Sequence, residues 1–207
     1  MPLVYQQNIN EHTKIGVWHL AEEEDFFLSR VPLNRNVSHP KKRLQHLAGR
    51  LILTELFDDF PLSLIEIAET NKPYLADELF HFSISHCGEY AAAIVSKINR
   101  VGIDIEIPTE KILRIKHKFL SENEDSLLSE SRLPEFRVLT ICWSIKEALY
   151  KWYGNARVDF REHLHIRDIR YNGDSFTAEC IVSKKTPVTL TAKGIFLNGN
   201  CLVWVIN

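Results

Sequence analysis

Long hydrophobic runs are absent from this 207-residue sequence. Its apolar stretches, such as residues 91–95, are far shorter than the roughly 20 residues of a membrane-spanning helix. Residues 1–14 also lack the basic start, apolar stretch and small-residue cleavage site of a secretory signal. We therefore expect a cytoplasmic protein that is not embedded in a membrane.

Cysteine is scarce, and no two cysteines have the CxxC spacing that is typical of zinc or redox sites. The four cysteines are Cys87, Cys142, Cys180 and Cys201. Neither Cys87, directly after a histidine, nor Cys142, inside a helical pattern, stands where an activated thiol is expected. We expect free thiols in a reducing compartment, no structural zinc and no cysteine nucleophile.

A strong excess of either charge is also missing. The chain has 25 Lys and Arg against 27 Asp and Glu, a net charge of −2, so we expect no nucleic-acid partner. Hydrophobic residues make up 45% of the sequence and charged residues 25%, which is typical of a globular protein. The length allows one large domain or two small ones.

The first half of the chain has the pattern of one long helix followed by short strands. Ser38 is placed to cap a helix that has Pro40 in its first turn and apolar residues at helical spacing towards Leu56. Turn signals at Asn71-Lys72-Pro73 and at Gly88 separate β-type runs. These runs lie at residues 64–68, 81–85 and 91–96.

The second half begins with a strictly alternating strand at residues 101–107. Two helical stretches follow, the second opened by the capping box Ser121-x-x-Glu124, and a long amphipathic helix then spans about residues 134–153 with Gly154 at its end. From residue 165 the chain reads as strands, with breaks at Asn172-Gly173, Pro187 and Asn198-Gly199. Both halves therefore predict an α+β fold, divided as residues 1–99 and 100–207.

The alternating strand carries two acidic side chains on one face. Side chains at 101, 103, 105 and 107 are apolar and are expected to point into a core, so Asp104 and Glu106 share the opposite face. Their backbones are then roughly 7 Å apart, and two such carboxylates repel unless a cation or proton lies between them. Magnesium is the natural ligand, because it takes carboxylates together with phosphate and water. The alternative is a half-exposed strand with a polar outer face.

The long helix adds a third acidic residue and a lysine. Trp143, Glu147 and Lys151 recur every four residues and share one helical face. A Glu followed by Lys at this spacing is commonly a surface ion pair, worth about 0.3–0.5 kcal/mol. The functional alternative has Glu147 complete a metal shell or accept a proton from a hydroxyl, while Lys151 neutralises a departing phosphate.

Several cations and one hydroxyl in the first half are candidates for phosphate recognition. Ser85 and His86 lie where a strand enters a turn, and both can donate hydrogen bonds to phosphate. Lys72 lies in a stiff turn, and Arg43 and Arg50 lie on the first helix. The alternatives are a structural histidine and solvated surface charges.

The order of these segments resembles that of the Sfp-type 4'-phosphopantetheinyl transferases. The resemblance covers roughly residues 40–153 and is most specific in Gly102-Ile103-Asp104-Ile105-Glu106 and in the segment from Trp143 to Lys151. It implies two similar α+β halves related by a pseudo-twofold, with the active site in the cleft between them. The expected reaction is Mg²⁺-dependent transfer of phosphopantetheine from coenzyme A to a serine of an acyl or peptidyl carrier protein.

The resemblance also assigns roles to residues. Metal ligands would be Asp104, Glu106 and Glu147; Glu147 would also accept the serine proton, and Lys151 would stabilise the leaving 3',5'-ADP. Contacts to coenzyme A phosphates would come from Lys72, Ser85, His86, Arg43 and Arg50. The sequence departs from the family pattern where Asn71 replaces a glycine and Cys87 a serine, neither of which is a metal ligand.

Carrier proteins of this class are acidic, and a basic stretch follows the acidic strand. It comprises Lys111, Arg114, Lys116, His117 and Lys118, and would attract such a partner or form a solvated helix face. We expect a monomer, because one chain supplies both halves. Two other functions remain open: a Mg²⁺-dependent hydrolase of nucleotides or phosphodiesters, and a non-catalytic binder of coenzyme A or carrier protein.

Overall fold

A computed structural model of the chain describes residues 3–33, 37–69, 72–129, 131–154 and 157–207. Asn71 of the predicted turn lies outside these residues. The chain divides into two compact units, Met1–Val101 and Gly102–Asn207, and each combines helices with a sheet. The predicted α+β class is therefore confirmed. None of the described helices has the length and apolar character needed to cross a membrane.

The first unit is built on a four-stranded antiparallel sheet and a small hairpin. Its strands are β1 (Leu3–Asn10), β2 (Thr13–His19), β3 (Ile65–Ile67), β4 (Pro73–Leu75), β5 (His81–Cys87) and β6 (Tyr90–Ser96). The large sheet has the order β1-β2-β6-β5, and β3 pairs with β4. The sequence pattern predicted β3, β5 and β6 but not the N-terminal hairpin, because β1 is largely exposed and carries little apolar periodicity.

Two helices pack in this unit, the short α1 (Glu24–Leu28) and the long α2 (Pro40–Leu56). Proline at the first helical position is favourable because its missing N–H has no acceptor there anyway. The predicted cap at Ser38 is wrong by one residue: His39 occupies the N-cap and makes no side-chain cap hydrogen bond. The apolar face of α2 enters the core of the unit, where Leu47, Ile52 and Leu53 are fully buried.

The second unit packs one long helix on a five-stranded sheet. Its strands are β7 (Val101–Glu106), β8 (Leu164–Asn172), β9 (Ser175–Val182), β10 (Val188–Leu197) and β11 (Asn200–Ile206), in the order β7-β11-β10-β9-β8. Its helices are α3 (Lys116–Phe119), α4 (Ser126–Ser129) and α5 (Glu135–Tyr153), with 3₁₀ turns at Glu110–Ile115 and Glu122–Glu124. The predicted breaks at 172–173, 187 and 198–199 all fall at the end of a strand or between two strands, so they are confirmed.

Helix α5 has an apolar face that forms much of the core of this unit. Leu139, Ile145 and Leu149 are fully buried against residues of the sheet. The helix ends as predicted at Gly154, whose φ of 74° is the left-handed conformation that a C-cap glycine adopts at little cost. The predicted capping box is also present, with Ser121 and Glu124 satisfying each other's backbone.

Strand β7 confirms most of the predicted alternation. Ile103 and Ile105 are 0% and 1% exposed. Ile107 was expected in the core but is 42% exposed, because the strand ends at Glu106 and the chain then turns away. Asp104 is only 2% exposed, so the alternative of a half-exposed strand with a polar outer face fails at this residue.

Candidate active site

The candidate site of the second unit lies where β7 approaches α5. The approach is close at Gly102: an added Cβ would come within 2.0 Å of the Ala148 carbonyl oxygen and 2.8 Å of the Trp152 amide nitrogen. Only glycine lets two backbones come this near. Gly102 therefore brings the strand that carries Asp104 and Glu106 against the helix that carries Glu147 and Lys151.

Asp104 and Lys151 form the direct link between these two elements. Lys151 Nζ donates to Asp104 Oδ1 over 2.7 Å, and the two side chains are 22% and 3% exposed. A buried carboxylate is costly unless it is paired and hydrogen-bonded, so the ammonium compensates the charge of Asp104. Lys151 of α5 thus forms an ion pair with a residue of β7. The alternative of a surface ion pair within the helix does not account for this contact.

Glu106 is held by an aromatic group. Trp143 Nε1 donates to Glu106 Oε1 over 3.3 Å. The indole of Trp143 packs between two phenyl rings, with centroid distances of 5.2 Å to Phe119 and 5.6 Å to Phe160. Sequence spacing placed Trp143 on the face of Glu147 and Lys151, but its role as a donor to Glu106 depends on tertiary contacts that spacing does not reveal.

Glu147 has a strongly perturbed carboxyl group. Burial is the main cause that raises its pKa from 4.5 to about 7, and the charges of Asp104 and Glu106 raise it further. Lys151 acts in the opposite direction and lowers the pKa. The charges of Lys151, Asp104 and Glu106 therefore all act on the ionisation of Glu147. A carboxyl group with a pKa near neutral pH can both accept and release a proton there.

We call Asp104, Glu106 and Glu147 the acidic cluster. As the side chains stand, no group of three or more His, Cys, Asp or Glu within the described ranges is arranged so that it could hold a metal ion. Lys151 and Trp143 instead donate to Asp104 and Glu106. The donor set itself suits a hard cation, since it offers carboxylate oxygens whose mutual repulsion is visible in the raised pKa of Glu147. The metal site stays a prediction.

In the first unit, Lys72 lies near the charge of Arg100. Burial lowers its pKa to about 8, and the charge of Arg100 lowers it further. Burial also lowers the pKa of His81, with Arg100 and Lys72 contributing and Glu78 opposing. The sequence singled out Lys72 but missed its neighbours Arg100 and His81, which lie in separate strand-end segments. The positive charges of Lys72 and Arg100 attract anions, phosphate among them, and the neutral form of His81 can still donate a hydrogen bond.

Ser85 and His86 lie near the far end of β5, whose first residue is His81. The rise of a strand separates the backbones of His81 and His86 by roughly 17 Å. Ser85 pairs with Ala92 and is 8% exposed, whereas His86 is exposed. The two residues point to opposite faces of the strand, as neighbours in a strand must.

Arg43 and Arg50 have protein partners on or near α2. Arg43 donates from Nε to Glu24 Oε1 over 2.5 Å and from a terminal nitrogen to Glu24 Oε2 over 2.7 Å. Arg50 is 9% exposed, and one of its terminal nitrogens lies 3.0 Å from His46 Nδ1. A phosphate at Arg43 would have to compete with the Glu24 carboxylate.

The basic stretch after β7 lies within the 3₁₀ turn at Glu110–Ile115 and helix α3. Four of its five residues are exposed: Lys111, Arg114, His117 and Lys118. Lys116 contributes an ion pair with Glu135 at 3.5 Å, which is exposed and therefore worth little. Phe119, at the end of α3, contacts Trp143, so the stretch leads directly to the partner of Glu106.

The structure disfavours cysteine chemistry in the second unit. Cys142 and Cys180 are fully buried free thiols, and burial raises the pKa of each to about 12. A thiol that stays protonated at neutral pH is a poor nucleophile. Sequence reasoning also missed Lys146, a charged residue of this unit that is fully buried.

Comparison with known proteins converges on the same segments. A family model described as the 4'-phosphopantetheinyl transferase superfamily matches residues 100–193, which include the acidic cluster and Lys151. Residues 100–193 of the chain are therefore similar to this superfamily. The Sfp-type resemblance is therefore confirmed at the level of the family.

Curated relatives carry related names. Enterobactin synthase component D of Salmonella austin is 33% identical over 116 residues, which are 56% of this chain and 49% of that protein. A putative 4'-phosphopantetheinyl transferase of Haemophilus influenzae is 31% identical over 121 residues, 56% of this chain and 52% of that protein. The 4'-phosphopantetheinyl transferase gsp of Aneurinibacillus migulanus is 29% identical over 140 residues, 64% of this chain and 54% of that protein. The chain thus spans about half the length of the curated relatives it matches.

Proposed function

We propose that this phosphopantetheinyl transferase homologue moves the 4'-phosphopantetheine of coenzyme A to a serine of an acyl or peptidyl carrier protein. The serine oxygen forms a bond to phosphorus, the pyrophosphate bond breaks, and 3',5'-ADP leaves. The observation that carries the proposal is the environment of Glu147 in the family-matched region, where burial and two carboxylates bring its pKa to about 7. Such a group is suited to accept a proton from a hydroxyl at neutral pH.

Glu147 would act as the base for the serine hydroxyl. A base works best when its pKa lies near the working pH, because it is then both available and strong enough to take the proton. The neighbouring charges act on the pKa of Glu147 in opposite directions: Asp104 and Glu106 raise it, and Lys151 lowers it. In the metal-free chain the carboxylate form of Glu147 dominates above about pH 7.

Lys151 would supply positive charge to the leaving group. Its ammonium already lies in the site, at 2.7 Å from Asp104 Oδ1, and is 22% exposed, so a bound anion can reach it. Asp104, Glu106 and Glu147 would hold Mg²⁺. A bound Mg²⁺ supplies charge neutralisation and orientation for a diphosphate. Because a cation at Asp104 would compete with Lys151 for the same carboxylate, metal binding would release the lysine for the phosphate.

In the first unit, Lys72, Ser85 and His86 would hold phosphates of coenzyme A. The depressed pKa of Lys72 indicates that this cation is partly desolvated beside Arg100, an arrangement that a bound phosphate would stabilise. Arg43 and Arg50 would contribute only if their contacts with Glu24 and His46 were exchanged for phosphate. The exposed basic stretch around α3 would attract the acidic carrier protein.

Two other functions compete with transfer. A hydrolase would use the same acidic cluster with water as the nucleophile, and a non-catalytic binder would need neither Glu147 nor Lys151 in their present environment. The raised pKa of Glu147 favours catalysis over binding alone, because strongly perturbed carboxyl groups are typical of functional sites.

One assay separates the three functions. The protein is incubated with coenzyme A, Mg²⁺ and a panel of apo carrier proteins, and the carriers are weighed by mass spectrometry. Transfer predicts a gain in carrier mass equal to one phosphopantetheine, with equimolar 3',5'-ADP. Hydrolysis predicts degradation of coenzyme A with unmodified carrier, and binding alone predicts neither product.

The pair of Asp104 and Lys151 gives the first variant prediction. Asp104→Asn and Lys151→Met should each lower kcat by at least 100-fold, in the range typical of removed electrostatic groups. Far-ultraviolet circular dichroism should remain that of the parent protein. Lys185→Met, which changes an exposed lysine of the same unit, serves as the control and should retain full activity. Full activity in either site variant would contradict the assignment.

A further inference from the structure

The long helix carries a second charged group, which is buried beside the face that bears Trp143 and Glu147. Lys146 is 0% exposed, and its ammonium donates to three acceptors: the Glu124 carboxylate at 2.7 Å, the Phe119 carbonyl at 2.7 Å and the Phe160 carbonyl at 3.0 Å. A lysine ammonium has three N–H donors, so all of them are used. The group is therefore fixed in one position.

Its partner Glu124 is equally constrained. Glu124 is 2% exposed, and its Oε2 accepts from the backbone and the hydroxyl of Ser121, both at 2.8 Å, besides Lys146. Its Oε1 accepts from the Ile166 amide at 2.8 Å. The pair thus joins α5 to the 3₁₀ turn at Glu122–Glu124 and to β8. A fully satisfied buried network of this kind favours one arrangement of the elements that it joins.

Two of these contacts lead back to the candidate site. The carbonyl groups that Lys146 holds belong to Phe119 and Phe160, and the rings of these same residues enclose the indole of Trp143. Trp143 in turn donates to Glu106. A continuous chain of contacts therefore runs from the buried ammonium, through two phenylalanines and a tryptophan, to a carboxylate of the acidic cluster.

We propose that Lys146, with Glu124, is a positioning residue that fixes Glu106 by holding the two phenylalanines that enclose Trp143. It does not touch the reacting groups. The expected effect on turnover rests on the proposed function. The effect on the orientation of Trp143 does not, because that orientation can be measured in the protein without any turnover.

A structural readout tests the proposal without any turnover. In ¹H–¹⁵N spectra of the parent protein, the resonance of the Trp143 indole Nε1–H is the one that is missing from the spectrum of Trp143→Phe. Lys146→Met should shift this resonance and increase its exchange with water at least threefold. The indoles of Trp152 and Trp204 are the internal control: within the described residues their buried Nε1 atoms have no hydrogen-bond partner, so their exchange reports the opening of the fold.

The design allows for a loss of stability in the single variant. Lys146→Met leaves the Glu124 charge buried without its partner, so the double variant Lys146→Met/Glu124→Gln is measured beside it. The control is Lys185→Met, an exposed lysine of the same unit, and it should leave all four indole signals unchanged. If both Lys146 variants fail to fold, or if the three other indoles change as much as Trp143, Lys146 holds the fold as a whole and the proposal is overturned.

The kinetic test compares the dependence of the rate on Mg²⁺ with its dependence on coenzyme A. In a chain that transfers phosphopantetheine, Lys146→Met should raise the Mg²⁺ concentration for half-maximal rate at least fivefold and change KM for coenzyme A less than twofold. Combining it with Trp143→Phe should add little, because both changes act on Glu106 through one path. Additive effects would overturn the proposal. Absence of turnover in the parent protein would contradict the proposed function alone and leave the indole measurement to decide on Lys146.

Discussion

At Glu147, burial and two neighbouring carboxylates act on a single ionisation. The pKa of the folded state is about 7, above the ordinary value of 4.5. Between these values the folded chain keeps a proton that the unfolded chain has released. The free energy of unfolding should therefore fall as pH rises from about 4.5 to about 7, and the full penalty is present above pH 7.

This linkage gives a prediction for Glu147→Gln. Without metal at pH 8, the neutral amide avoids the cost of a buried charge, so the variant should be more stable than the parent by roughly 1–2 kcal/mol. At pH 4.5 the difference should vanish. Urea unfolding at both values measures this, with the exposed Glu179→Gln as the control. Equal destabilisation at both values would show that the raised pKa is not a property of the protein.

The same residue shows what the sequence can and cannot reveal about a site. Spacing placed Glu147 and Lys151 on one helical face, and the family resemblance assigned their roles. Neither the spacing argument nor the resemblance indicated that Lys146, one residue away, is fully buried. The signal was nevertheless present, because Lys146 follows Cys142 by four residues and Ile145 by one, within the apolar stripe of α5. Its partners Phe119, Glu124 and Phe160 depend on tertiary packing, which no local pattern contains.

At the scale of elements, the approach of β7 to α5 depends on one glycine. Gly102→Ala would place a methyl group 2.0 Å from the Ala148 carbonyl oxygen, so the strand must move away from the helix. We expect a loss of about 1–3 kcal/mol in the free energy of unfolding and a loss of turnover larger than the loss of folded protein explains. Both follow from displacement of Asp104 and Glu106.

Urea unfolding and steady-state kinetics of the same preparation measure the two effects. Gly173→Asn is the matched control, because Gly173 has φ of +59°, no atom near an added Cβ, and a conformation that asparagine tolerates. A Gly102→Ala protein with the stability and activity of the parent would show that the two backbones need not lie so close.

Most elements were accessible from the sequence because their patterns are local. The alternation of β7, the capping box at Ser121 and the turns at 172–173 and 198–199 each require only neighbouring residues, and all are confirmed. Strand β1 was missed because an exposed edge strand needs little apolar alternation, and its partner β2, which is an inner and largely buried strand, was missed with it. The cap of α2 and the exposure of Ile107 differ by the one or two residues within which element ends commonly vary.

At the scale of the whole molecule, each unit has its own hydrophobic core. The core of the second unit draws its buried residues from positions 119–205, and the core of the first from positions 18–95. A fragment of residues 100–207 should therefore fold by itself, with cooperative thermal unfolding and the circular dichroism of an α+β protein. A fragment without a cooperative transition would show that the second core is insufficient.

Binding of a divalent cation by the acidic cluster is the central physical claim of the proposed function, and Mn²⁺ provides a direct measurement of it. Electron paramagnetic resonance counts bound Mn²⁺ in the parent protein with saturating coenzyme A, and in Asp104→Asn and Glu147→Gln under the same conditions. We predict one bound ion per chain in the parent and at least a tenfold weaker affinity in each variant. Unchanged affinity in both variants, or no bound ion in the parent, would contradict the account.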